Sequence, residues 1–341
     1  MTRLSTVRIA PEVCLPEFVM SPVHIICASC GSRASIPVAR HGKWTYLGCV
    51  DCRSIELNPV PTDEELRQYY NTQYCVPFDE YHRRNERVSG ELLRSIEASA
   101  RVRGTMLEIG CSHGAFLSRA QAAGWEVAGI EISEEAAANA RAQGLNVVTG
   151  RLEESGSSLG DFDCVASWHV IEHIVDVNAF LNSVKRHLKP GGLLALRTPN
   201  ARALVARVIP QYWNWIEAPA HIRLFSPAGM TRLLERHGFS LCCQSTRRGD
   251  ARTLGTDLLM AGAKLLVDGE ARNADALTFR GNGSRAGGVT RYTDLISWPL
   301  DWILGIDGRN MLGTELFVMA NHDSVTLGDG VQDGKFADLA Q

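Results

Sequence analysis

Glu108, Gly110, Ser112, Gly114 and Glu131 are the residues of this chain whose types and spacing point most directly to chemistry. The apolar run Met106-Leu107-Glu108-Ile109 enters a turn with glycine at 110 and 114, and a helical stretch follows. A second apolar run, Trp125 to Ile130, ends on Glu131. Glycine in such a turn lets the backbone approach a ligand closely, and an acid about 20 residues further on can hold the two hydroxyls of a ribose. The dinucleotide pattern G-x-G-x-x-G is not met, because Ser112 stands between the glycines. The spacing predicts a nucleoside site.

A second constellation is metal-ligating. Cys27-Ala28-Ser29-Cys30 and Cys49-Val50-Asp51-Cys52 form two C-x-x-C knuckles with eighteen residues between them. Two such pairs present four thiolates, the donor set of a closed, tetrahedral, structural zinc site. The segment between them, Ala34 to Leu47, is expected to be a β-hairpin, giving a zinc ribbon with few basic residues: Arg33, Arg40, Lys43 and Arg53.

The third constellation is histidine, whose ordinary pKa suits proton transfer near neutral pH. His169 is expected to follow a strand and to point into the cleft, with His173 one helical turn on. His221 lies in the loop Trp213-Asn214-Trp215-Ile216-Glu217-Ala218-Pro219-Ala220-His221. A metal-assisted arrangement would use Glu172 and His173, but Glu172 is expected to point elsewhere and no second carboxylate lies at suitable spacing.

Elements of alternating type must position these residues. Beyond Glu131, Ser133 caps a helix that ends before Gly144, and Leu145 to Thr149 reads as a strand. Asp161 to Trp168 is a fourth strand, Asp176 to Leu188 has helical apolar spacing, and Leu193 to Arg197 is a fifth strand. Ser226-Pro227 starts a helix that stops at Gly238. Leu241 to Thr246 and Thr314 to Ala320 complete seven strands. Strands alternating with helices predict a parallel sheet covered on both faces, with ligands beyond its carboxyl edge. Thr62 and Glu65 form a capping box for a helix that precedes the sheet.

The 341 residues carry a net charge of −3, which gives no field to attract a polyanion and counts against nucleic acid as a partner. No run is long and apolar enough to span a bilayer, and Met1 to Met20 lacks the apolar core of a signal peptide. A cytoplasmic protein is expected, with its ten cysteines as thiols or metal ligands.

The blocks Leu107-Glu108-Ile109-Gly110-Cys111-Ser112-His113-Gly114, Glu131, Phe162-Asp163, Val170-Ile171-Glu172-His173-Ile174, Leu188-Lys189-Pro190-Gly191-Gly192 and Pro199-Asn200 together resemble the class I S-adenosylmethionine-dependent methyltransferases. The N-terminal cysteine knuckles followed by a tyrosine-rich helix look like a subgroup that modifies sugars, glycans and natural products. The resemblance implies an α/β fold: a Rossmann-like seven-stranded methyltransferase sheet with a small N-terminal zinc ribbon and a helical insert. It implies that Glu108 and the turn Gly110, Cys111, Ser112, Gly114 hold the methionine part of S-adenosyl-L-methionine. Glu131 would take the ribose hydroxyls, Ile132, Arg151 and Leu152 would flank the adenine, and Trp168 and His169 would line the methyl side. The loop around His221 is similar to a Glu-His-Leu-x-x-Phe-Ser segment of deoxysugar methyltransferases whose histidine is the base, although Ala220 stands where that pattern has glutamate.

The reading is thus of in-line methyl transfer to a hydroxyl, or another nucleophile, of a sugar, glycan or natural-product acceptor. His221, His169 and His173 are the catalytic candidates, and Tyr74, Tyr81 and Trp213 are expected against the substrate. Cys27, Cys30, Cys49 and Cys52 hold Zn2+. An RNA base methyltransferase gripping its substrate through the ribbon, and a partner subunit that has lost its chemistry, are the alternatives. The expected organisation is an N-terminal extension (1–20), ribbon (21–60), helical lid (61–103), catalytic domain (104–247 and 312–322), helical insert (248–311) and disordered tail (323–341). The insert's apolar stretches, with Trp298 and Trp302, would pack on the sheet, form a homodimer contact, or touch the inner membrane face peripherally.

Overall fold

The structure, a computed structural model, describes residues 25–73, 78–100, 103–154, 159–208, 210–247 and 313–323. The N-terminal extension, the insert, Tyr74 and nearly all of the tail lie outside the described residues.

The ribbon comes first. Strands β1 (Ser35–His41), β2 (Trp44–Cys49) and β3 (Ile55–Asn58) pair antiparallel in sequence order. Helix α1 (Asp63–Gln73) follows. Its start is the predicted capping box: the Thr62 amide donates to Glu65 Oε2 at 2.8 Å, and the Glu65 amide to Thr62 Oγ1 at 3.3 Å. Helix α2 (Phe78–Ser99) leads to the large sheet.

That sheet is built by β4 (Thr105–Ile109), α3 (Ala115–Ala122), β5 (Glu126–Glu131), α4 (Glu134–Ala142), β6 (Val147–Thr149), β7 (Phe162–Trp168), α5 (Val177–Arg186) and β8 (Leu188–Pro199). After α6 (Leu204–Val208) and the short β9 (Arg223–Leu224) come α7 (Pro227–Arg236), β10 (Phe239–Arg247) and β11 (Glu315–His322). Helix starts follow local chemistry: the side chains of Ser133, Asp176 and Ser226 each accept from a first-turn amide, and Pro227 begins α7.

The seven strands are ordered β10-β11-β8-β7-β4-β5-β6. The expectation of a wholly parallel sheet is corrected at one strand: β11 runs antiparallel between β10 and β8. A strand reversed against its neighbour needs no crossover helix, so the alternation rule does not extend to it. The side-chain period of two sorts the core. Leu107, Val165, Leu194 and Leu196 face α5 and α7, while Met106, Cys164, Ala166 and Ala195 face α2, α3 and α4.

The ribbon is fused to this domain. β9, from the loop after β8, adds a fourth strand to the ribbon sheet, with Ile55 opposite Leu224 and Glu56 opposite Arg223. A third core, including Tyr46, Leu57, Ala203, Trp213 and Leu224, fills the join. The loop from Ala201 to Leu224 is therefore clamped between two sheets at the carboxyl edge of the larger one.

Candidate active site

The cofactor half lies at the ends of β4 and β5. Gly110 has φ 73° and Gly114 φ 82°, a left-handed backbone that side chains disfavour. A Cβ on Gly110 would stand 2.4 Å from Val170 Cγ2, so this turn abuts the segment after β7. Ser112 itself sits at φ 48°. Its amide donates to Glu131 Oε2 at 2.8 Å, and the Ser133 amide donates to Glu131 Oε1 at 2.8 Å. The acid expected to meet a ribose thus ties the two ligand turns together and keeps a second lone pair on each oxygen.

Glu108 is fully buried, and its Oε2 has no hydrogen-bond partner among the described residues. Burial, and then the charge of Glu131, raise its pKa well above the usual carboxylate range. A buried carboxylate oxygen left unpaired beside a glycine turn fits the ammonium of a bound amino acid. Cys111 is buried, its Sγ 2.7 Å from where a Cβ on Gly129 would sit, so only its backbone faces the turn. Ile132 is 64% exposed beside Glu131, an apolar surface suited to an adenine face, and Arg151 is exposed just past Gly150, whose amide donates to the Glu131 carbonyl at 2.9 Å. Leu152 instead is a core residue under α5, its carbonyl accepting from Ser183 Oγ at 3.2 Å. Trp168 packs edge-on against Phe116 and stacks with Phe317, its Nε1 without a hydrogen-bond partner among the described residues.

The second half of the site is polar. His169 has φ 54° and is sandwiched chemically: Nδ1 lies 3.1 Å from Glu172 Oε1 and Nε2 lies 3.2 Å from Glu315 Oε1. Its ring stacks on Trp215 with centroids 5.3 Å apart. Burial opposes its charging, but Glu315 and Glu172 outweigh that and raise its pKa to about 9. Both nitrogens are held by carboxylates, so the expected His169 lone pair is not turned toward the cleft. Glu315 also receives the Arg197 guanidinium.

His221 is buried, and its Nδ1 lies 2.9 Å from the Trp215 carbonyl. His173 Nδ1 lies 2.9 Å from the Ala220 carbonyl and 3.1 Å from the Tyr70 hydroxyl. A carbonyl can only accept, so each ring carries its proton on Nδ1 and its lone pair on Nε2. Burial, with His173 adding to it, lowers the His221 pKa to about 4.

Glu172 corrects the sequence reading. It does not point away from His173: Glu172, His173 and His221 each bring one donor atom within 4.8 Å of the others. Residues 171–173 form a tight 3-10 turn, and the Ile222 amide donates to the Glu172 carbonyl at 2.8 Å, which draws the His221 loop over it. The Glu172 carboxyl is fully buried; Oε2 accepts from Thr198 Oγ1 at 2.9 Å. Burial works against its charge, but the His169 contact dominates and lowers its pKa to about 2.

The aromatic assignments shift as well. Trp213 is buried in the third core, and it is Trp215, two residues on, that meets both His169 and His221. Of the tyrosines, the Tyr81 side chain, like Tyr74, lies outside the described residues. Tyr70 reaches His173, and the neighbouring Tyr69 hydroxyl donates to Glu217. Tyr69 and Tyr70 stand among other tyrosines in the sequence, and nothing in their spacing marks which of them meets His173.

In the ribbon, the sulfur pairs Cys27–Cys52 and Cys30–Cys49 are each 3.6 Å apart. A disulfide would bring sulfurs to about 2 Å. Four thiolates around zinc at about 2.3 Å give edges near 3.8 Å, which these distances match. Gly31 and Arg53, each just past its knuckle, have φ 78° and 67°. The Ser226 hydroxyl donates to the Cys52 carbonyl, and Arg236 Nη1 donates to that of Ala28 at 2.9 Å, tying both knuckles to α7.

Fold and site together define a class I methyltransferase domain: the strand order with one reversed strand, and a glycine turn and acid at the carboxyl edge. Residues 81–244, just under half of the chain, match a family profile described as "Methyltransferase domain". The chain is 33% identical over 130 residues to the ubiquinone biosynthesis O-methyltransferase of Caulobacter vibrioides, covering 34% of this chain and 51% of that one. It is 30% identical over 151 residues to the enzyme of the same name from Sinorhizobium fredii, covering 40% and 60%. The chain thus spans little more than half the length of these relatives. An S-adenosylmethionine-dependent methyltransferase from Archaeoglobus fulgidus superposes with a TM-score of 0.45 at 20% identity, over 76% of this chain and 100% of that one. Among the described residues, no helix is long and apolar enough to cross a membrane.

Proposed function

We propose that the chain transfers a methyl group from S-adenosyl-L-methionine to a hydroxyl of a small organic acceptor, of the sugar, glycan or natural-product kind, and that its four cysteines hold a structural zinc. The observation that carries the reading is the contact of two unlike halves. The glycine turn with Glu108 and Glu131 abuts Val170, and the Glu172–His173–His221 cluster follows directly. When bound, the cofactor supplies a methyl on a positively charged sulfur, already activated for displacement.

The protein's part is therefore alignment and proton handling. The Gly110–Gly114 turn and Glu108 receive the amino-acid end, and Glu131 the ribose. His173 and His221, each held at Nδ1 by a backbone carbonyl, serve the acceptor side in this reading. Tyr70 contacts His173, and Trp215 packs against His221. O-methyl transfer by the named relatives is consistent with an oxygen acceptor.

Calorimetry with S-adenosylmethionine and its demethylated product, followed by a labelled-methyl screen over nucleotide sugars and glycosides, tests this. Binding of both, with label passing to a hydroxyl compound, is the expected result. No heat with either compound would end the reading.

A further inference from the structure

The cluster at the acceptor side has the composition and wiring of a second metal centre. We propose that His173 Nε2, His221 Nε2 and one Glu172 carboxylate oxygen bind a divalent first-row transition ion of the zinc class, which takes the acceptor hydroxyl as a further ligand.

Three observations carry this. One donor atom from each of these residues lies within 4.8 Å of those from the other two. Both imidazoles are fixed by the same device, an Nδ1 proton given to a backbone carbonyl at 2.9 Å, that of Ala220 for His173 and that of Trp215 for His221. Outer hydrogen bonds of this kind orient metal-bound imidazoles and set their tautomer. The rings are 4.8 Å apart and tilted by 49°, so they are not stacked on each other. The carboxylate is braced from outside in turn: His169 on one oxygen and Thr198 on the other, each oxygen keeping a further lone pair.

Two imidazoles and one carboxylate make a three-ligand set that leaves positions open, the arrangement of catalytic rather than closed zinc sites. Imidazole donors favour zinc, cobalt, nickel or copper over magnesium and calcium. An ion there would act on the acceptor as it acts on bound water, lowering the hydroxyl pKa. The O–H bond breaks and its proton leaves to solvent. The oxygen then forms the O–CH3 bond as the S–CH3 bond breaks, its electron pair remaining on sulfur. The products are the methyl ether and the neutral thioether. This role rests on the methyl-transfer reading; binding of the ion does not.

The test uses the full chain with its four cysteines filled by zinc. Cobalt(II) is titrated in and followed by visible absorption and calorimetry. The expected result is one additional ion per chain, with nitrogen- and oxygen-ligand bands and no new thiolate charge transfer. His221→Ala and, separately, His173→Gln should weaken it by more than the roughly 10- to 100-fold that loss of a mere supporting partner costs. Circular dichroism and affinity for the demethylated cofactor check that each variant is folded. Uptake that stops at the ribbon's ion, or folded variants that bind the extra ion unchanged, overturns the proposal. Ion binding without any cofactor binding would instead overturn the methyl-transfer reading and leave the centre standing.

Discussion

The Tyr46 hydroxyl, on the second ribbon strand, donates to the backbone carbonyl of His221 at 3.1 Å. Tyr46 is fully buried, and the bond joins the four-cysteine ribbon to the peptide carrying a candidate site residue. It is not alone: the Leu57 amide donates to the Ile222 carbonyl at 2.9 Å, and the Ile222 amide to Glu172. The ribbon is packed onto the loop that carries His221 rather than being an appended module.

Tyr46→Phe should therefore loosen that loop without touching the cofactor half. Removing the hydroxyl leaves a buried carbonyl without its donor, costing about 1–3 kcal/mol. Urea unfolding should show this loss, and the His221 ring signals in an NMR spectrum should shift or broaden. Affinity for the demethylated cofactor should stay within about twofold. An unchanged His221 signal would show that the ribbon does not set this residue.

Glu131→Ala separates the cofactor half in the same way. It removes the carboxylate expected for the ribose and leaves the Ser112 and Ser133 amides without the acceptor they now share. Charge-assisted bonds are worth about 1.5–3 kcal/mol each, so cofactor affinity should fall by at least about tenfold. Cobalt uptake at the histidine cluster should persist. If calorimetry finds cofactor affinity intact, Glu131 is a turn brace and not a ligand.

How much of this was legible depended on how local each signal was. The strand–turn–helix at 106–117 and the four cysteines announced themselves because adjacent residues carry the whole pattern. The reversed β11 did not, because alternation of helix and strand implies parallel neighbours and β11 departs from that rule. Glu172, His173 and His221 escaped as a unit because His221 lies 48 positions from His173 and is delivered by β9 pairing with the ribbon, a tertiary event. Trp213 and Trp215 exchanged parts for a related reason. Both are apolar neighbours in a loop, and only the clamp between two sheets decides which is core and which meets the histidines. Leu152, likewise, carries no mark that it turns under α5.

The pH dependence of stability should carry the signature of His169. Its folded pKa of about 9 lies above the ordinary 6.5, because Glu315 and Glu172 outweigh its burial. A raised folded pKa means the folded state binds the proton more tightly than the unfolded chain does. That contribution is fully present below about 6.5 and is lost as pH rises through about 9. Thermal melts from pH 6 to pH 10 should fall across this window. His169→Gln, which cannot charge, should be less stable at pH 6 and show a flatter profile. A slope in the variant equal to that of the parent would place the titrating group elsewhere.

The ribbon offers an internal control on backbone strain. Gly31 and Arg53 occupy equivalent positions, one residue past each C-x-x-C pair, and both have left-handed φ of 78° and 67°. Glycine adopts this conformation freely, whereas another residue there costs about 1–2 kcal/mol. Arg53 is exposed, so its replacement removes little packing. Arg53→Gly should relieve this cost and tighten zinc retention against a chelator, offset in part by the greater freedom glycine gives the unfolded chain. Gly31→Ala should do the reverse, although a Cβ there meets nothing within 4 Å, because the penalty is conformational and not steric crowding. Competition with a zinc-responsive chelating dye measures both. If the two variants move retention in the same direction, the knuckle turns do not govern the metal's hold.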